Sequence, residues 1–282
     1  MARRYSLAYL TVLGCPPPEQ IYIAGRAGYD YASLRPISLG LPGEPDFSLR
    51  PGSEMMRNVK TAMAETGVGI LDIELARVVE GMDMAKYEAA CEAAAELGAK
   101  HLLTSIWTED RAFYVEKFGE VCDLALRYGM TADLEYVPIA GVRNLAAALD
   151  VLNAVGRDNM GLMIDIHHFH RAHDSVEELA RVPREYFHFC HLCDAPAEIP
   201  TDQDEMRRIL REARSYLGEG GIDVASILDA MPEIACSIEL PNVSRSRVLG
   251  NAEFATRCLE TAKAYLRQHP RPDVGSPTGA AS

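Results

Sequence analysis

Residues 163–170 read MIDIHHFH. Met163, Ile164 and Ile166 are core residue types, whereas Asp165, His167, His168 and His170 are not. With Met160, Gly161 and Leu162 ahead of it, the run 160–168 reads as a buried strand that carries an acid near its end. Six of the eight histidines of the chain fall between 167 and 191. Ionisable groups inside an apolar run are costly unless they are paired or bind a metal. The stretch therefore predicts a core strand whose far end does chemistry.

Working outward, runs of the same kind recur at 6–14, 31–37, 69–78, 101–108, 132–138, 187–195 and 234–242. Helical periodicity fills the intervals at 17–27, 53–66, 83–98, 110–128, 144–156, 175–183, 202–214 and 251–268. The segment MAKYEAACEAAAELGAK is rich in Ala and Glu and stops at Gly98; the 110–128 helix stops at Gly129. Strands alternating with helices of this length make parallel βαβ units. Eight such units in about 250 residues are the size of a closed α/β barrel, a single (β/α)8 TIM barrel. An open doubly wound sheet is the runner-up, but GCPPPEQ follows the first strand instead of a GxGxxG phosphate loop. The expected organisation is one barrel domain over 1–270 and a small, polar, disordered tail over 271–282. The Pro- and Gly-rich stretch 39–54 reads as a long loop after the second strand, either a lid or an inert excursion.

The chain has 282 residues, 48% of them apolar, and a net charge of −13. That charge argues against nucleic acid and against an anionic membrane surface. No run approaches the roughly 18 apolar residues of a membrane helix. MARRYSLAYLTVLG at the start reads as a first core strand and not as a signal peptide, because the apolar stretch is short and lacks a small-residue cleavage site. Seven scattered cysteines suit a reducing cytoplasm, and CHLC (190–193) reads as core packing and not as a metal or redox motif. The expected partner is a small molecule.

Four residues interrupt apolar runs toward the C-terminal ends of consecutive strands: Glu135, Asp165, His191 and Glu239. That end is where barrel enzymes keep their chemistry. Three carboxylates brought together repel unless a cation neutralises them. Three oxygen donors and one nitrogen suit one divalent ion, Mn2+, Mg2+ or Co2+, with Zn2+ also compatible.

These residues, in LEYVP (134–138), DIHH (165–168), HLCDAP (191–196) and SIELPN (237–242), together with GEGGID (218–223), resemble the xylose isomerase-like TIM barrels, the sugar phosphate isomerase/epimerase family. The first half of the chain matches in strand–helix order only. The resemblance implies that Glu135, Asp165, His191 and Glu239 bind one metal ion. It implies that His168 contacts substrate or moves a proton, and that Gly218, Gly220 and Asp223 shape the rim. Arg214 is the residue expected to reach substrate, with a solvated helix end as its alternative. The implied chemistry is proton removal beside a carbonyl through an enediolate, with Glu135 and Glu239 exchanging protons. The implied activity is isomerisation or epimerisation of a sugar, sugar phosphate or keto acid. The alternatives are a dehydratase of the 3-dehydroshikimate or inosose type and, less favoured, a non-catalytic binding barrel. Pairing through outer helices into a homodimer or homotetramer is also implied.

The chain departs from the epimerase pattern in three places. YVPIAG follows Glu135 without a further acid, APAEIP follows Asp194 without an arginine, and Arg35 stands where many members carry an acid. Arg35, Arg214, Arg245 and Arg247 are thus candidates for recognising a carboxylate or phosphate, against a surface role for each. Glu74 is a candidate to enter the pocket, and Trp107 and Tyr136 at strand ends are candidates for an aromatic wall, against a structural role for each. His167 and His170 flank the motif, His188 is expected to face the helix layer, and Asp194 either orients a ligand or caps a loop.

Overall fold

The computed structural model describes residues 3–40 and 43–271. Eight strands, β1 (Tyr5–Ala8), β2 (Tyr31–Leu34), β3 (Gly69–Val78), β4 (His101–Ile106), β5 (Thr131–Glu135), β6 (Met160–Asp165), β7 (Phe189–Leu192) and β8 (Ala235–Ile238), pair in parallel and in sequence order. β1 also pairs with β8, which closes the barrel. The outer layer holds α1 (Pro17–Ala27), α2 (Glu54–Thr66), α3 (Glu88–Glu96), α4 (Arg111–Arg127) and α5 (Leu145–Val155). It continues with α6 (Ile166–Arg171), α7 (Val176–Leu179), α8 (Gln203–Glu212), α9 (Val224–Ala230) and α10 (Val243–Gln268). The expected (β/α)8 barrel is the observed fold. No helix among the described residues is long and apolar enough to cross a membrane.

Local chemistry sets the helix ends. Ser53, Asp110, Asn144 and Asp202 each accept a hydrogen bond from a backbone N–H in the first turn of the helix that follows. Gly98 and Gly129 stand just beyond α3 and α4 with positive φ, as their stop positions in the sequence predict.

Several boundaries differ from expectation. The first strand ends at Ala8, and Tyr9–Val12 form a 3-10 turn. Thr11 pins that turn across the barrel top, donating to the Ile238 carbonyl and accepting from the Leu240 N–H. Residues 166–168 are helix and not strand, because Asp165 caps α6. Met84–Tyr87 form a separate 3-10 turn before α3. The helix expected over 251–268 is the second part of α10, which breaks at Gly250 (φ 75°). α9 was not anticipated. Of the tail expected to be disordered, 271–282, Arg271 is held by the Leu228 carbonyl and residues 272–282 lie outside the described residues.

Outward-facing strand residues such as Leu7, Leu34, Leu134 and Ile164 pack against the helices in the main core. Inside the barrel, Leu71, Leu103, Met163 and Phe189 form a separate apolar plug. Below the plug, at the N-terminal end of the strands, His188 Nδ1 lies 2.6 Å from Asp133 Oδ1, and the His101 ring stacks on His188 at 5.3 Å. His188 therefore faces the barrel interior, not the helix layer, because it sits just before β7 where strand alternation no longer dictates direction. Burial works to raise the Asp133 pKa, but hydrogen bonds from His101 and His188 hold it well below the carboxylate range. Burial likewise opposes the charge on His188, and Asp133 outweighs it, so the His188 pKa is raised.

These shifts fix a pH window. The depressed carboxyl contributes stability above about 3.9 that is lost as pH falls toward its folded value; the raised imidazole contributes below about 6.5 and loses it as pH rises through its folded value. The expected outcome is that wild-type stability carries a component centred between those limits that Asp133→Asn removes, measured by urea unfolding against pH. A Cβ at Gly161 would sit 2.1 Å from Asp133 Oδ1 and 2.5 Å from His188 Nδ1. Gly161→Ala is therefore expected to cost about 1–3 kcal/mol by overpacking.

Candidate metal centre

Asp165 shows how the fold builds the site. It ends β6, and its Oδ1 accepts hydrogen bonds from the His167 and His168 N–H groups, starting α6. The same carboxylate turns Oδ2 into the barrel, 2.7 Å from Arg214 Nη1. The turn that the cap creates carries His168 over the barrel mouth, where its Nε2 lies 3.7 Å from both Glu135 Oε1 and Asp165 Oδ2. The MIDIHH sequence thus spends one side chain on two jobs, capping a helix and facing the site.

Glu135, at the end of β5, His191 in β7 and Glu239, just past β8, converge on the same point with Asp165. One donor atom from each lies within 4.8 Å of all the others. His191 Nδ1 is 3.4 Å from Glu135 Oε1, 3.4 Å from Glu239 Oε2 and 3.8 Å from Asp165 Oδ2. These separations are long for hydrogen bonds. They match the roughly 3.4 Å edge of a tetrahedron of ligands about 2.1 Å from a central ion. Both His191 ring nitrogens and Glu135 Oε1 are buried without a hydrogen-bond partner. The donor set fits a divalent ion on geometry and on unmet polar groups alike.

The charges point the same way. Burial pushes the His191 pKa down, yet the Glu239 charge and the other carboxylates hold it well above the imidazole range. Burial pushes Asp165 and Glu239 up; Arg214 with His168 in the first case, and His191 with Arg214 in the second, bring both below the ordinary range. Positive charge is favoured at the centre.

Arg214 reaches neither solvent nor a free position in the cavity. It is fully buried and bridges two of the ligand carboxylates, with Nη2 3.0 Å from Glu239 Oε2. The solvated helix end is thereby ruled out. The helix α8 stops at Glu212, and the chain turns inward through a bridge to Asn242.

A cavity opens above the centre. Glu74, Arg35, Ser105, Trp107 and His168 line it with Glu135 and Glu239. Glu74 and Arg35 form an ion pair at 3.1 Å. Two register shifts on β3 bring Asp72 and Glu74 into the barrel, where Ile73 between them packs outward. Burial and the Glu74 charge push the Asp72 carboxyl up to about 8.

Other expected residues lie elsewhere. Tyr136 is buried and does not line the cavity. Asp194 caps a loop, accepting from the Gly218, Gly220 and Ile222 N–H groups, which explains the GEGGID segment as structure. Asp223 caps α9. Arg245 pairs with Glu219 and stacks on Tyr216, and Arg247 is exposed. His167 and His170 do not line the cavity. All seven cysteines are buried and free. Sequence reasoning missed Arg77 and Arg211, which do line it; the only signal for Arg77 was its place near the end of β3.

Residues 21–265 match the family described as xylose isomerase-like TIM barrel. The chain belongs to this family. Among relatives of the xylose isomerase-like barrel, an inosose isomerase of Bacillus velezensis is 29% identical over 270 residues, covering 89% of this chain and 92% of that protein. The crystal structure of an IolI protein with a bound zinc atom superposes with a TM-score of 0.78 at 20% identity, over 95% of this chain and 99% of that one. A probable 3-DHS dehydratase, AsbF of Bacillus anthracis, gives a TM-score of 0.69 at 14% identity, over 92% and 98%. Both structures share the fold.

Removing the guanidinium leaves two buried carboxylates uncompensated. Arg214→Met is expected to destabilise the metal-free protein by about 3–5 kcal/mol in urea unfolding. Arg214→Lys should recover only part of this, because a single ammonium does not reproduce two guanidinium contacts.

Proposed function

We propose that the chain is a metal-dependent isomerase or epimerase of a small polyhydroxylated carbonyl compound. The observation that carries this reading is the convergence of Glu135, Asp165, His191 and Glu239 beneath a cavity, with His168 against Glu135. Those four residues would hold a divalent ion, which supplies Lewis acidity toward a carbonyl and its neighbouring hydroxyl. The inosose isomerase name of the Bacillus velezensis relative supports the same reaction class.

The two glutamates are not equivalent. Glu239 is gripped by Arg214 and kept ionised. Glu135 makes no contact with Arg214, and its Oε1 is free of hydrogen bonds and next to His168 Nε2. On this reading Glu135 takes the proton from the carbon beside the carbonyl, and His168 carries or steadies the proton at the adjoining oxygen. Glu239 orients the bound end of the substrate. Proton traffic confined to the Glu135 side favours transfer between neighbouring carbons on one face, an isomerisation.

A dehydratase is the second reading, favoured by one observation. Glu74 lines the same cavity, and its burial raises its pKa against the pull of Arg35. A carboxyl at that place, its hold on a proton strengthened by burial, suits a general acid toward a leaving hydroxyl.

Elemental analysis of the purified chain is expected to find about one divalent ion per chain, lost in Asp165→Asn and Glu239→Gln. His168→Asn should keep the ion and lose activity by on the order of 10²–10⁴-fold. Assays on ketoses and inososes, followed for interconversion and for water loss, separate the two readings. No ion after soaking with Mn2+, Co2+ and Zn2+ would overturn both.

A further inference from the structure

The cavity wall above the metal centre differs from what a neutral polyol needs. Leu10, Leu13, Leu39, Val137, Ile139 and Leu210 form an apolar collar. Hydroxyl groups pressed on such a wall lose their water without gaining partners. Within the collar stand two arginines that the chemistry has not used, Arg77 from β3 and Arg211 from α8. Among the described residues neither has a carboxylate within ion-pair distance, whereas the other two cavity arginines, Arg35 and Arg214, are both paired.

Arg77 is half-buried. Its guanidinium carbon lies over the Trp107 ring, 4.4 Å from the centroid, and its Nε is buried without a hydrogen-bond partner. Burial and the nearby charge of Arg211 both disfavour the cation there. Two mutually repelling guanidiniums held at a cavity wall, in a chain of net charge −13, are an arrangement that an anion relieves. The contact with Trp107 holds one guanidinium at the wall before the ligand arrives, so less freedom is lost on binding.

We propose that the substrate is anionic, bearing a carboxylate or phosphate that Arg77 and Arg211 hold, with an apolar face against the collar and its carbonyl end toward Glu135 and His168. The inference deepens the function proposed above and rests on that reading of the cavity. It narrows the substrate from sugars at large to acid or phosphorylated members.

The test uses the full chain saturated with Mn2+ and three ligands of one skeleton: D-glucitol, D-gluconate and D-glucitol 6-phosphate. Calorimetric titration is expected to show at least one anion binding about tenfold or more tighter than D-glucitol. Preference for D-gluconate alone assigns a carboxylate, for the phosphate ester alone a phosphate, and for both the shared anion chemistry. Arg77→Gln and Arg211→Gln should each reduce the preference by about tenfold while D-glucitol binding stays within twofold. Equal binding of all three ligands by the wild type would overturn the proposal. So would a preference that survives both substitutions, since the anion would then rest on the metal ion. Manganese content is measured in every sample, so failure of the metal centre is read separately from failure of the anion site. Should Arg77→Gln fail to fold, Arg211→Gln, at an exposed position, carries the test.

Discussion

Three carboxylates buried within a few ångströms of one another constrain the rest of this barrel. At such distances and in a low-dielectric interior their repulsion is large. Glu135, Asp165 and Glu239 bring three negative charges, and Arg214 returns one. Asp72, raised to about 8, adds none near neutral pH, and Glu74 is matched by Arg35. Two negative charges remain. A proton on His191 meets one of them; a divalent ion would meet both and leave the imidazole neutral to donate its nitrogen. The fold spends a buried guanidinium, a helix cap and an inward-turned loop on this one point, and each device lowers the charge or fixes a carboxylate in place.

The opposite end of the barrel solves the same problem differently. Asp133 is as deeply buried as Asp165, but it is met by His188 at 2.6 Å, by Thr131 at 2.5 Å and by the His101 ring nearby. Among the described residues, no fully buried nitrogen or oxygen of that trio lacks a hydrogen-bond partner. At the top, both nitrogens of His191 and one oxygen of Glu135 have none. Two clusters of the same residue types thus separate into one that the protein completes by itself and one that it leaves open. Completion at the bottom locks the plug and seals the barrel. Incompletion at the top is what a reactive centre requires, since a donor already satisfied has nothing to offer a ligand.

The sequence announces the top centre because strand ends have a fixed geometry. Glu135, Asp165, His191 and Glu239 each end an apolar run of known period, so position along the run implies height in the barrel. Eight alternating units are legible for the same reason. Residues outside that rule are not. His188 precedes its strand, so alternation says nothing of its direction. Arg214 follows a helix, where the sequence allows either a substrate contact or a solvated end; its burial depends on the bridge between Ala213 and Asn242, residues far apart in the chain. On β3 a register shift between Ile70 and Ile73 changes the alternation, so Asp72, which the strand pattern does not single out, turns inward with Glu74, which it does. The helical turn after Asp165 is hidden because MIDIHH satisfies an apolar strand pattern until the side-chain cap is known.

The two halves of the chain contribute unequally to the two tasks. On the proposed reading, the metal donors and His168 all come from β5 onward, while the cavity wall draws on Arg35, Glu74, Arg77 and Trp107 from the ends of β2 to β4 and on Arg211 from α8. Motif resemblance in the sequence is concentrated in the second half, and that follows from the physics of each task. An ion tolerates few donor sets and narrow spacing, so the residues that serve it are restricted in type. A cavity wall must only match the outline and charge of one ligand, and many side chains meet that demand. Within one barrel, on this reading, the donors at the ends of β5 to β8 set the kind of reaction, and the wall residues after β2 to β4, joined by Arg211, set the molecule. Arg77 over Trp107 belongs to the second class: neither side chain is among the four converging donors, and together they place a positive charge at the wall that a substrate must answer.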